Sequence, residues 1–441
     1  MVELQKGEAM VDERHKVDAL FVLVGKNTLP NYVAAQLLLR SPAKSRLILV
    51  YSEDTASQRQ LLEDTLKAEG FQQFENVLVK ESNPLDIENN IGAITQKLTG
   101  KVGLNYTGGT KAMSVHAYRA LDENVRDVQF SYLNARGLSL MFAHESIPCL
   151  VGTEVSVSLK VLLGLHSRTL SFKADPIWPQ TARTIADLHS SDDVRKMWNI
   201  WIAQTFFQEP PWPQFQVQSS ENRDAEWQHW VRKQHVWQEF KRRKWKTKTQ
   251  LKNIQLSVLN EFTEVQATLL KETGLSSSDS FSGDKDTLGL IQKGGFGKSE
   301  DLGKWFEGTW LESYVLDQVQ QLRQQGQYGI TDTGHSLQAH SDQQVEIDVA
   351  FTRGYQLFAL ACTTSDDKGL CKSKLLEVVV RAEQLGGAEA RSALICCYPE
   401  PRKLENEIAD LSGEHVRVFG RDDLMGIQTK LGDWIMDVSG R

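Results

Sequence analysis

The chain has 441 residues, 40% of them hydrophobic and 24% charged, with a net charge of −7. That length predicts two or three domains, and the composition is that of a soluble globular protein. An acidic balance carries no overall nucleic-acid signature, so any such contact needs a local patch. No apolar run nears the roughly 20 residues of a membrane span, so no membrane association is expected.

Residues 1–18 are charged and lack an apolar h-region, so no secretory signal is read there. The five cysteines, Cys149, Cys362, Cys371, Cys396 and Cys397, form no CxxC pair. Neither structural zinc nor a disulfide framework is expected from them. Free thiols in apolar runs act as small hydrophobes and fit a reducing, cytoplasmic setting.

Residues 17–145 alternate strand and helix. Ala19–Val24 is a continuous apolar run, followed by a helical pattern over Asn31–Leu39. Leu47–Tyr51 and Thr55–Ala68 repeat the pair, as do Val77–Lys80 and Ile87–Leu98. Val102–Asn105 runs into Thr107-Gly108-Gly109-Thr110-Lys111 and a helix to about Leu121. Val128–Tyr132 and Leu138–Phe142 read as a closing pair of strands. Continuous apolar strands separated by helices predict a parallel sheet covered on both faces, and right-handed crossovers make it Rossmann-like.

The pattern changes near Leu170. Residues 174–260 interleave Trp198, Trp201, Trp227, Trp230, Trp237 and Trp245 with Arg232, Lys233 and the basic run Lys241–Lys248. Cations between aromatics suit single-stranded nucleic acid. Helical spacing of Trp227, Trp230 and Trp237 instead predicts a connector whose tryptophans pack inward. Residues 275–300 are rich in Ser and Gly, the composition of a flexible linker or mobile loop. A helix over about Leu302–Leu322 follows, then strands Gln344–Phe351 and Gln356–Cys362, a helix over about Cys371–Leu385 and a strand at Ala393–Cys397. The expected division is residues 1–165, a helical connector over 166–300, and a compact α/β domain over 301–441.

Ligands of open parallel sheets bind outside the carboxyl ends of the strands. Three such ends are Gly25-Lys26-Asn27-Thr28, Ser52-Glu53 and the TGGTK segment at Thr107–Lys111. Adjacent glycines admit a close backbone approach, and the following helix start offers free N–H groups to an anion. NYTGGTKAMS after a short strand, with GKNT after strand one, resembles the CARF domains of type III CRISPR ancillary proteins. The resemblance covers about residues 17–160. It implies a homodimer that binds a cyclic oligoadenylate, cyclic tetra-adenylate foremost, across its axis. The implied ligand contacts are Gly25, Lys26, Asn27, Ser52, Thr107, Gly108, Gly109, Thr110 and Lys111.

In the C-terminal part, Glu312 lies on a helix, and Glu346 and Asp348 lie two apart on a strand and therefore share a face. Hard oxygen donors of this kind suit Mg²⁺ or Mn²⁺, which activate water against a phosphodiester. The order of a GxWLE helix, an EID strand, a paired strand and a helix resembles the PD-(D/E)xK nuclease domain of CARF-linked effectors. That resemblance implies Glu312 and Asp348 as metal ligands, with Glu346 beside them, and DNA or RNA as substrate. It departs at the third motif, where Ala361-Cys362-Thr363 stands for ExK. Lys374 on the next helix is the expected replacement cation, accompanied by Glu377. The reading is a ligand-activated, metal-dependent endonuclease. Its alternatives are an inactive sensor that signals to a partner and a ring nuclease that degrades its own ligand.

Overall fold

A computed structural model describes residues 11–134, 137–166, 169–207, 245, 262–275, 284–340, 344–412 and 416–438. Trp227, Trp230, Trp237 and the basic residues among them lie outside the described residues, as does 276–283 of the Ser/Gly-rich stretch.

The first sheet is mixed and has the order β3-β2-β1-β4-β5-β6-β7. Its strands are β1 (Ala19–Leu23), β2 (Arg46–Tyr51), β3 (Gln73–Leu78), β4 (Val102–Asn105), β5 (Gln129–Asn134), β6 (Ser139–Phe142) and β7 (Cys149–Leu150). β1 to β5 are parallel, and β6 and β7 return antiparallel. The crossovers are α1 (Leu29–Leu38), α2 (Ala56–Ala68), α3 (Pro84–Thr95) and α4 (Lys111–Asn124). Every residue of β1 is buried, because helices cover both faces of a parallel sheet. β3 is an edge strand in which only Val77 is buried; its pairing with β2 starts at Gln73, four residues before the apolar Val77.

α5 (Leu159–Gly164) leads to the second sheet, whose order is β13-β12-β11-β10-β9-β8. Its strands are β8 (Thr169–Lys173), β9 (Ile330–His340), β10 (Gln344–Arg353), β11 (Gln356–Cys362), β12 (Arg391–Ile395) and β13 (Val416–Phe419). β8 to β11 are antiparallel neighbours, and β11, β12 and β13 are parallel. β8 falls in the stretch expected to be a helical connector, yet it hydrogen-bonds to β9 as the edge of the second sheet. The second body therefore takes in residues well before 301.

Helices α6 (Pro179–His189), α7 (Asp192–Phe206), α8 (Thr263–Thr273) and α9 (Asp284–Lys293) come next. Trp198 and Trp201 on α7 are buried and pack edge-to-face among Phe206, Phe262 and Phe306. They pack inward and form no stacking surface. Trp245 rests on Phe207, with ring centroids 4.3 Å apart.

α10 (Ser299–Lys304) continues through a π-helical turn, Trp305–Thr309, into α11 (Trp310–Gln325). Trp305 and Trp310 are both fully buried although they stand five residues apart, a spacing that a regular α-helix would rotate off one face. The π-turn, with its i→i+5 bonding, restores the phase. The remaining helices are α12 (Lys368–Gly386), α13 (Pro401–Ser412) and α14 (Ile427–Val438). One apolar core joins Leu20 and Val22 of β1, Leu159 and Leu162 of α5, and Leu337, Ile347 and Ala350 of the second sheet. No described helix is long and apolar enough to cross a membrane.

Candidate functional sites

The first site sits where the strand order reverses. The chain turns from β1 to β2 and β3 on one side, while β4 enters on the other, so the turns after β1 and β4 meet at the switch point of the sheet. They touch through backbone. A Cβ on Gly108 would lie 2.1 Å from the carbonyl oxygen of Leu23, and one on Gly25 would lie 3.1 Å from the nitrogen of Gly109. Gly109 has φ +73°, a conformation that favours glycine. Asn31 locks the pair by donating from Nδ2 to the same Leu23 carbonyl (3.0 Å).

The expected contact residues divide into two groups. The Thr107 hydroxyl donates to Asn105 Oδ1 (2.7 Å) and accepts the Leu133 N–H (2.7 Å). Thr110 is the N-cap of α4 and accepts the Met113 N–H (3.2 Å). Ser52 is buried and its hydroxyl lies 3.4 Å from that of Thr55. These hydroxyls shape the turns. Lys26, Gly109 and Lys111 are exposed at the rim, and Lys111 opens α4, where helix N–H groups favour an anion.

Asn27 faces the other way. Its Oδ1 accepts the Leu29 N–H (3.0 Å), and its Nδ2 lies 2.3 Å from where a Cβ on Gly387 would stand. Gly387 is the C-cap of α12. Thr28, beside it, donates to the Leu165 carbonyl (3.3 Å). The turn after β1 is thus pressed against the end of a helix of the second sheet.

The second site lies along an open cleft of about 840 Å³. Its walls include Arg195, the π-turn residues Glu307 to Thr309, Glu312, and the end of β11 from Cys362 to Asp367. Asp348 Oδ2 accepts the Cys362 N–H (2.8 Å), so the carboxylate is fixed to the strand end. Burial pushes Asp348 up to about 7, with Glu312 adding to the rise; the Cys362 N–H and Lys374 oppose it, and Glu346 contributes further repulsion. Glu312, Lys374 and Glu346 are therefore each within electrostatic reach of Asp348. Glu346 itself is exposed.

α12 sorts its cations. Lys374 acts on both Asp348 and Cys362, whereas Lys372 and Lys368 pair with Glu407 (3.4 and 2.5 Å). Glu377 is half-exposed and lies 4.0 Å from Arg381. Ala361, where the motif expects an acid, belongs to the apolar cluster that contains Cys371, Leu375 and Val378 of α12. Thr363 is held by its N–H on the Ile395 carbonyl (2.9 Å). Among the described residues, no three His, Cys, Asp or Glu side chains gather closely enough to hold a metal by themselves.

Sequence reasoning missed two residues here. Ser336 Oγ lies 3.4 Å from Glu312 Oε2, and His335 Nδ1 lies 3.8 Å from the same oxygen. Both belong to β9, a polar segment without strand periodicity, and no local motif marks them.

Residues 19–146 match the family model described as the Card1 CARF domain. Comparison with curated protein sequences gives no match. Among solved structures, Can2 from Sulfobacillus thermosulfidooxidans, in complex with cyclic tetra-adenylate, superposes with a TM-score of 0.60 at 17% identity, over 95% of this chain and 97% of that one. Protein VC1899 from Vibrio cholerae superposes with a TM-score of 0.57 at 16% identity, over 96% and 100%. At such identities the likeness is one of fold, and it extends over both sheets. The N-terminal domain of this chain is therefore a CARF domain, set in a two-sheet α/β architecture shared with those proteins.

Proposed function

We propose that this chain is a cyclic-oligoadenylate-activated, metal-dependent nuclease of type III CRISPR defence. The CARF match and a likeness in fold to a protein solved with cyclic tetra-adenylate support the ligand. A homodimer would present two copies of the Gly25–Thr28 and Thr107–Lys111 turns to one ring. Lys26 and Lys111 would meet its phosphates, with the glycine backbone beneath.

The observation that carries the nuclease reading is Asp348. A largely enclosed carboxylate near a second carboxylate, with a lysine as counter-charge, is costly to ionise, and a bound cation would relieve that cost. The donors are hard oxygens, and Mg²⁺ typically binds through one or two carboxylates while keeping several waters, so two protein ligands fit Mg²⁺ or Mn²⁺. Glu312 and Asp348 would hold the ion, with Glu346 at the rim. When bound, the ion supplies a Lewis acid and an activated water. Lys374 would stabilise charge that develops on the phosphate. The cleft beside Glu312 would take the DNA or RNA strand. The contact of Asn27 with the Gly387 cap of α12 would tie the ligand turn to the helix that carries Lys374.

A second reading is an inactive sensor that signals to a partner. It is favoured by Ala361 and Thr363 in place of ExK and by the lack of a three-ligand cluster among the described residues. Incubating plasmid DNA and single-stranded RNA with Mn²⁺ and cyclic tetra-adenylate separates the two. Ligand-dependent cleavage supports the nuclease, and tight ligand binding without cleavage supports the sensor.

A further inference from the structure

Ser336 has φ +51°, the left-handed region that residues with a side chain rarely occupy. Strain of this kind is kept where the surroundings enforce it, often at functional sites. Two features enforce it here. On one side, Ser171 pairs with Gln338 and Lys173 with His335, so β9 spends an extra residue against β8, as in a bulge that re-aims a side chain. On the other side, Leu337 pairs with Ile347 and His335 with Val349, which sets Ser336 opposite Asp348.

His335 is fully buried. Its Nε2 lies 3.2 Å from the carbonyl oxygen of Asp175. A carbonyl only accepts, so Nε2 carries the proton and Nδ1 is turned to Ser336 Oγ at 3.2 Å. The hydroxyl proton is then shared between that nitrogen and Glu312 Oε2 (3.4 Å). The loop that anchors His335 is itself pinned to α11. Ile177 donates its N–H to Ser313 Oγ (3.2 Å), and Gln320 Nε2 donates to the Ala174 carbonyl (2.8 Å). A closed circuit thus runs from α11 through the loop, His335 and Ser336 back to Glu312 on the same helix.

We infer that His335 and Ser336 are positioning residues that fix the Glu312 carboxylate for a divalent cation shared with Asp348. The inference rests on the metal-site reading above. A carboxylate on a helix has several rotamers open to it, and a hydrogen-bonded partner selects one in advance of the ion. Such outer partners change metal affinity or activity by about 10–100-fold when removed.

The test uses the full-length protein and Mn²⁺ alone, titrated by calorimetry. Ser336→Gly accepts the left-handed backbone without strain, so it removes the hydroxyl and spares the fold. His335→Gln can place its side-chain Nε2 as a donor to the Asp175 carbonyl but removes the imidazole Nδ1 that faces Ser336. Both variants should bind Mn²⁺ about 10–100-fold more weakly, with a Ser336→Gly melting temperature no lower than the parent's. Where cleavage is measured, the Mn²⁺ concentration for half-maximal rate should rise while the rate at saturation stays near the parent's. If the parent binds Mn²⁺, Glu312→Gln abolishes that binding and Ser336→Gly leaves it unchanged, the positioning role is overturned and the metal site stands. If the parent binds no Mn²⁺, the metal site and this inference fall together.

Discussion

Replacing Asp348 by Asn should make the metal-free protein more stable, in a manner that depends on pH. Asp348 rises from an ordinary 3.8 to about 7 in the fold because it is buried beside Glu312. The folded state then holds this proton more tightly than the unfolded chain does. Between those two values the folded form keeps a proton that the unfolded form has released, so stability falls as pH rises. Below about pH 4 the penalty is absent, and above about pH 7 it is complete. A rise of about three units, at roughly 1.4 kcal/mol each, sets a ceiling of about 4 kcal/mol. Asn keeps an acceptor for the Cys362 N–H and carries no charge, so most of that penalty should be recovered, about 2–4 kcal/mol near pH 8. The assay is urea unfolding in chelator, followed by tryptophan fluorescence, since Trp305, Trp310 and Trp434 share the core on which β10 packs. Saturating Mn²⁺ should narrow or reverse the difference, because the proposed metal site would bind the ion only in the folded parent. A gain that is the same at pH 4 and pH 8, or a loss at pH 8, would refute the buried-carboxylate argument.

Other outcomes follow from the same geometry. Lys111→Ala should weaken cyclic tetra-adenylate binding about ten-fold or more, the scale of one charge-assisted hydrogen bond; unchanged affinity by calorimetry would remove Lys111 from the site. Lys374→Ala should slow single-turnover cleavage by on the order of 10²-fold, while Lys372→Ala, whose amine pairs with Glu407, should do little; the reverse ranking would move the role to Lys372. Gly387→Ala places a methyl 2.3 Å from Asn27 Nδ2; ligand affinity should persist while stimulation of cleavage drops, and full stimulation would exclude this contact from the coupling.

The first sheet was legible because its inner strands are buried on both faces, which writes a continuous apolar run for β1, β2 and β4. Its edge strand β3 was read short, since Gln73, Glu75 and Asn76 point to solvent or a half-covered face. In the second sheet the strands β10, β11 and β12 were readable, and Glu312 and Asp348, the proposed metal ligands, were picked out from the same part of the sequence. β9 was not. Its sequence, ITDTGHSLQAH, is polar and is bent by the bulge at Ser336, so no period of two survives. That is why His335 and Ser336 escaped notice. The π-turn escaped for a related reason, because the five-residue step from Trp305 to Trp310 breaks the helical period that sequence reading relies on. Lys374 was chosen from the sequence for sharing a side of α12 with Glu377; in the structure Glu377 lies 4.0 Å from Arg381, and Lys372 pairs with Glu407 on α13. Asn27 was read as a ligand contact from its place in the GKNT turn; the partner it faces, Gly387, is distant in sequence and could not be inferred from the turn alone.

The central claim is that a ligand on the CARF domain turns on a metal site in the second domain. Its most direct measurement is single-turnover cleavage of supercoiled plasmid and single-stranded RNA by the full chain, with and without cyclic tetra-adenylate and Mn²⁺, beside Asp348→Asn. The account predicts cleavage only when ligand and Mn²⁺ are both present, and none by Asp348→Asn, which should still bind the ligand with parental affinity. Cleavage by Asp348→Asn at the parental rate, or no cleavage by a parent saturated with both ligand and Mn²⁺, would contradict it.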